Sequence, residues 1–308
     1  MNSKSKIILG LSAILAVSAG VASASTYAWF TTSRTTYVSI SNIGVKSNNG
    51  ALYAVASASG DVNHGGMDIT TPGDANTTPV VAGTASTMFD ISGDGVEFFQ
   101  PKWNAGSVNS GTGIGTSAND MYTVDNATSG KLAYREFALD FYNGGILANG
   151  DTAFAVYVDV GAGDSKTSIA GGNTNANSTD AANATRIAIL DSEKTNVLFY
   201  YQASTEANGT YQYIKKEAGV AQADGAYGVA GYKLDACSNI THNNTGTTLA
   251  TITDGSGTQQ QSQKLVDSIA AGANTRVWIR IWLEGTCATC KNSAANGVVK
   301  SYLNFTAI

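Results

Sequence analysis

Charge is what this chain has least of. Asp, Glu, Lys and Arg make up 13% of its 308 residues, against about 25% in a typical soluble domain. No run of Lys or Arg gathers into a basic patch, and the net charge of −5 is mild. Nucleic acid is therefore excluded as an expected partner. Proline is almost missing, with three residues, and histidine is limited to two. Neither histidine belongs to an H-E-x-x-H pair, so a zincin-type peptidase is not supported. No G-x-S-x-G elbow or phosphate-binding glycine loop is present either. His64 lies in Asn-His-Gly-Gly and His242 in Ile-Thr-His-Asn-Asn, both read as solvated loop positions. What replaces charge is Gly, Thr, Ser and Asn, a balance that suits strands and turns better than a helical enzyme. No catalytic residue is expected.

The first residues are organised differently. Lys4 and Lys6 precede an uncharged run from Ile7 to Ala24, and Ala22-Ser23-Ala24 offers a small-x-small cleavage pattern. This reads as a secretory signal helix, residues 1–24, removed by a signal peptidase. The alternative is a retained anchor, although the run is rich in Ala, Ser and Gly and only weakly apolar. Residues 25–45 follow as an extended segment holding Tyr27, Trp29, Phe30, Tyr37, Val38 and Ile40. Residues 46–308 form the remaining body, and the protein is expected outside the cell, secreted or at the cell surface.

Alternation of apolar and polar residues predicts strands over most of that body. They are Thr35–Ser41, Leu52–Ala58, Met88–Ile91, Val96–Trp103, Leu132–Tyr142, Thr152–Val160, Arg186–Leu190, Val197–Gln202, Thr210–Lys215, Thr275–Leu283 and Val298–Ile308. In Leu132–Tyr142 the inward set is Tyr134, Phe137, Leu139 and Phe141, with one slip of phase. In Thr275–Leu283, Val277, Ile279 and Ile281 share one face and Trp278, Arg280 and Trp282 the other. Gln259 to Ile269 is spaced like a short helix. Ser59–Ala85, Ala105–Ser129 and the low-complexity tract Gly161–Ala184 read as loops. Gly219–Gly231 and Asn239–Gly257 read as turn-rich. The expected fold is all-β, a jelly-roll-like antiparallel β-sandwich with long Gly/Ser/Thr/Asn-rich insertions.

Three features carry candidate chemistry. Cys287 and Cys290 form a C-A-T-C pair expected to close as a structural disulfide in preference to a redox or metal role, with Cys237 as an alternative partner for either. Asp90-Ile91-Ser92-Gly93-Asp94-Gly95 resembles half of a calcium loop. Pro101 stands where the bidentate acid belongs, so a turn is preferred over calcium at Asp90 and Asp94. Glu136, Asp140 and Glu284 are strand carboxylates from which a glycoside-hydrolysing pair could be drawn, but strand charges usually face solvent, and that is the expectation here. Asn-x-Ser/Thr sequons occur at Asn76, Asn126, Asn177, Asn183, Asn208, Asn239, Asn243 and Asn304.

Thr26-Tyr27-Ala28-Trp29-Phe30-Thr31 resembles the T-x-A-[YW]-F-[ST] signature of Gram-positive exported proteins cleaved by a SipW-type signal peptidase. These include the TasA and camelysin family of biofilm-matrix fibre proteins. Camelysin has been classed with metallopeptidases, an activity the residues here do not support. The resemblance implies a jelly-roll subunit that polymerises head to tail with copies of itself by donor-strand exchange. Residues 25–45 would complete the sheet of the next subunit, with Tyr27, Trp29, Phe30, Tyr37, Val38 and Ile40 as anchors. The competing expectation is a monomeric β-sandwich adhesin or carbohydrate-binding module, recognising cell-surface or matrix polysaccharide. Exposure of Trp278 and Trp282 on a sheet face would favour it.

Overall fold

A computed structural model describes residues 35–47, 52–57, 86–101, 121–123, 134–144, 153–161, 166–203, 211–221, 230–237, 240–242, 250–253, 259–287, 289–290 and 294–308. The signal segment, Tyr27, Trp29, Phe30 and His64 lie outside the described residues. Among those described, no helix is long and apolar enough to cross a membrane.

The protein is all-β, with seventeen strands and one helix among the described residues. In chain order the strands are β1 (Thr35–Ser47), β2 (Leu52–Ser57), β3 (Ser86–Gly93), β4 (Phe98–Pro101), β5 (Met121–Thr123), β6 (Tyr134–Asn143), β7 (Ala153–Asp159) and β8 (Ser168–Gly171). The helix α1 (Ala176–Ala184) leads into β9 (Thr185–Leu190), β10 (Val197–Gln202), β11 (Tyr211–Lys216), β12 (Tyr232–Cys237) and β13 (Ile240–His242). The chain ends with β14 (Ala250–Thr253), β15 (Gln259–Ala270), β16 (Asn274–Glu284) and β17 (Val298–Ala307).

Hydrogen bonds join most strands along one path, β13-β10-β9-β16-β3-β1-β17-β7-β15-β14. Strand β6 lies on the other side of β16 and carries β2, while β11 and β12 form a separate hairpin. The path curls back on itself, because one apolar cluster draws on both of its ends. Phe137, Leu139 and Phe141 of β6 and Val277, Ile279 and Ile281 of β16 share it with Val299, Leu303 and Phe305 of β17. The rings of Phe141 and Phe305 meet edge to face at 5.0 Å, a geometry worth about 1 kcal/mol beyond burial. Strand β3 passes between the halves. Its residues 86–89 pair with β1, and Asp90 and Ile91 pair with β16.

The alternation read in β16 holds. Tyr134 explains the slip of phase in β6, since it faces away from the main core and packs with Phe98 and Trp282. The pairing is mixed rather than wholly antiparallel, because β1–β17, β3–β16 and β10–β13 run parallel. Strands β1 and β17 come from opposite ends of the sequence, so no hairpin dictates their relative direction.

Three segments differ from expectation. Gln259–Ile269 belongs to strand β15. The positions opposite Val158, Val156 and Phe154 of β7 are Gln263, Val266 and Ile269, three apart instead of two. A bulge in each interval adds the extra residue, and a period of three imitates a helix. Conversely, the tract Gly161–Ala184 contains β8 and α1. Alanine is the best helix former, and Ala181, Ala182 and Ala184 bury it against the sheet. The helix stops where the N–H of Thr185 donates back to Ala181 O and Ala182 O. Asn239–Gly257, read as turns, likewise contributes β13 and β14, and His242 stands in β13.

The helix seats closely on the loop before β17. A Cβ on Gly297 would lie 2.5 Å from Asn177 O and 2.7 Å from Ala181 Cβ. Gly297→Ala is expected to lower stability by about 1–3 kcal/mol through overpacking, read as a fall in the urea midpoint with unchanged slope.

Candidate functional site

The segment singled out in the sequence is β1, and its neighbours are now defined. Thr35 to Val38 pair antiparallel with Phe89 to Ser86 of β3. From Tyr37↔Val298 to Ser47↔Ala307, β1 runs parallel to β17, with a bulge between Ile40 and Asn42. Tyr37 and Val38 therefore sit between two strands, while Ile40 falls where β17 is the paired neighbour. The extra residue at the bulge fixes register, since a slip of one residue turns every side chain to the other face.

Strand β17 is also held along its other edge. Its far edge pairs with β8 through Val299–Tyr302 and with β7 through Phe305–Ala307. Thr306 Oγ1 donates to Asp159 Oδ2 at 2.7 Å, and Ser262 Oγ donates to Asp159 Oδ1 at 3.0 Å. Thr167 Oγ1 accepts the N–H of Asn304 at 2.8 Å. Asp159, Ser262, Thr167 and Thr306 are fully buried. A buried carboxylate held by hydroxyl donors in this way ties β7, β15 and β17 into one unit. Asn304 is also buried, at 4% exposure, which closes its sequon to a glycan in the folded protein.

Two of the three strand carboxylates do not face solvent, and Glu136 is partly buried. Asp140 is 1% and Glu284 0% exposed. Arg276 reaches Asp140 through two hydrogen bonds, Nε to Oδ1 at 2.7 Å and Nη2 to Oδ2 at 2.6 Å. Arg280 Nε donates to Glu136 Oε2 at 2.7 Å, and Lys194 Nζ donates to Oε1 at 2.7 Å. Glu284 accepts from Trp282 Nε1 at 3.1 Å and from the N–H of Thr286 at 3.1 Å. Carboxylates satisfied by cations and fixed donors do not resemble the acid and base of a glycosidase. The ladder was legible in principle. Glu136 and Asp140 stand four apart on β6, Arg276 and Arg280 four apart on β16, and the antiparallel register puts each pair directly opposite.

Burial pushes the Glu136 carboxyl up, but hydrogen bonds from Lys194 and Arg280, with their positive charge, outweigh it and leave its pKa lowered. A lowered carboxylate pKa adds stability that is fully present above the unfolded value, about 4.3. That stability is lost as pH falls through the folded value. Glu136→Gln should therefore be less stable than the parent at neutral pH, with the gap closing below pH of about 4. Urea midpoints measured across the acid range check this.

Of these two tryptophans, one is closed to solvent and the other is partly covered. Trp282 is 0% exposed. Trp278 is half-buried, donates Nε1 to Ser192 O at 3.1 Å and lies under Lys194 Nζ, 3.5 Å from the ring centroid. The lysine is held there by a loop in which it adopts φ 61°, a conformation that costs a non-glycine residue about 1 kcal/mol.

At the turn considered for calcium, Asp94 Oδ1 accepts the N–H groups of Val96 and Glu97, both at 2.8 Å. This is turn chemistry, and the carboxylate of Asp90 is buried. Gly95 O and Val96 O of the same turn accept Arg280 Nη1 at 2.9 and 2.8 Å, which clamps the turn onto the outer face of β16. Cys287 and Cys290 are both buried and both thiols. Cys237 ends β12. No family model, curated protein or solved structure matches this chain.

Proposed function

We propose that the chain is an exported, non-enzymatic structural protein, the subunit of an extracellular filament or biofilm-matrix fibre built by donor-strand exchange. In this reading residues 1–24 direct export and are removed by a signal peptidase. The segment 25–45, with most of β1, leaves its own body and pairs with β17 and β3 of the next subunit. The body is a jelly-roll-like sandwich.

The observation that carries the reading is the placement of β1. Among the described residues it is the first strand, and its longest partner is the last, in parallel register from Tyr37 to Ser47. A terminal strand can be withdrawn without threading a loop. Its slot is bounded by strands that hold together through other contacts, so withdrawal leaves a formed edge of unpaired N–H and C=O groups. An identical strand from a neighbour restores the same bonds. A contact of this head-to-tail kind does not close on itself, and copies add without limit. The adhesin alternative has less to rest on, since Trp282 is buried and Trp278 is half-buried with Lys194 over its ring.

The test is negative-stain microscopy of protein lacking residues 1–24, beside a form also lacking 25–45. Filaments are expected from the first and not from the second. A synthetic peptide spanning residues 25–47 should bind the shortened form, which guards against mistaking an unfolded variant for an assembly defect. Single particles from the longer form under all assembly conditions tried would count against the proposal.

A further inference from the structure

The thiols of Cys287 and Cys290 lie in the connection between β16 and β17. The N–H of Cys290 donates to Cys287 O at 2.9 Å, the closing bond of a four-residue turn, which brings the two Cα atoms within about 7 Å. Disulfides span Cα separations of about 4.4–6.8 Å, a range that a turn of this kind overlaps. Both side chains enter the same small cluster, with Ala184 at the end of α1 and Leu283 at the end of β16. In the dithiol form Cys287 Sγ–H donates to Asn183 O at 3.7 Å and lies 3.1 Å from Thr289 Oγ1. Asn183 O also accepts a hydrogen bond from Arg186 Nη1 at 2.5 Å. It therefore stays satisfied when the thiol turns away.

We infer that Cys287 and Cys290 are a reversible redox pair, a dithiol that closes to a disulfide and reopens, with an external disulfide such as oxidised glutathione as the oxidant. One cysteine thiolate attacks a sulfur of the oxidant, whose other half leaves as a thiol. The second thiolate attacks the protein sulfur of the mixed disulfide, forming the Cys287–Cys290 bond and releasing the second thiol. Two electrons pass to the oxidant, and the two protons lost by the cysteines end on the two thiols released. Closing so short a loop removes little entropy from the unfolded chain, and it gives up the hydrogen bond from Cys287 to α1. Both effects keep the closed form from being strongly favoured, so the pair follows the redox poise of its surroundings. The closed form staples the turn between β16 and β17, and the open form ties that turn to the end of α1.

Trypsin places both residues in one peptide, Ile281–Lys291, and Cys237 in another. The full-length protein is equilibrated in glutathione buffers of graded ratio, quenched, alkylated and digested. The expected result is a graded, reversible exchange of the doubly alkylated Ile281–Lys291 peptide for an unalkylated form two hydrogens lighter than the free dithiol. In Cys290→Ser, Cys287 should instead carry glutathione. A peptide that stays doubly alkylated at every ratio overturns the inference. So does one that stays closed at every ratio, or a cross-link from Cys237 to either cysteine.

Discussion

Arg276→Leu is expected to destabilise the fold by about 3–5 kcal/mol, because it strands a buried carboxylate. Asp140 is 1% exposed, and its ion pair with Arg276 is bidentate, with side-chain exposures of 13% and 2%. Two parallel hydrogen bonds of this kind fix both distance and angle. Removing the guanidinium leaves a buried carboxylate without its cation. The double variant Asp140→Leu, Arg276→Leu should recover most of the loss, since replacing both members of a buried pair by apolar groups is often close to neutral. Urea unfolding of the two single variants and the double variant measures the coupling. Additive losses would mean that the two side chains act independently.

Trp282→Ala should cost about 3–5 kcal/mol, the range for emptying a large aromatic site. The ring is 0% exposed and packs edge to face on Phe98 at 5.1 Å. Its N–H is also one of the donors to the buried carboxylate of Glu284. Trp282→Phe separates these roles, because it keeps most of the volume and removes the donor. About 1–3 kcal/mol is expected for that change. Thermal or urea unfolding of both variants distinguishes a site dominated by packing from one dominated by the hydrogen bond. Equal losses from Phe and Ala would assign the whole effect to the indole N–H.

The strands with plain alternation were readable from sequence, and Thr275–Leu283 is the clearest case. Its apolar face of Val277, Ile279 and Ile281 is buried in the main core, as a period of two requires. Gln259–Ile269 misled because local period reports backbone geometry only while the strand is regular, and bulges against β7 break that condition. The segment Ala176–Ala184 misled for a different reason. Its composition is too polar to predict burial, yet four small residues, Ser178, Ala181, Ala182 and Ala184, are enough to seat it. At the candidate site, the sequence marked β1 by its position and alternation. Its partner could not be read, because pairing between residues 37–47 and 298–307 is a long-range choice. The carboxylates were misplaced because a strand charge was judged alone. Asp140 is buried and Glu136 partly buried, each with an arginine, Arg276 or Arg280, directly opposite.

Covalent capture of the β1–β17 pair tests donor-strand assembly most directly. Ser39 and Lys300 are register partners, and Lys300 is exposed. Both would be changed to cysteine in a form lacking residues 1–24, with Cys237, Cys287 and Cys290 replaced by alanine. A short bis-maleimide is then added after assembly. If β1 is donated, the bridge joins one subunit to the next, and a denaturing gel shows a ladder of covalent multimers that neither single cysteine variant produces. A bridge formed only within single chains, with no ladder even in samples that contain filaments, would contradict the account.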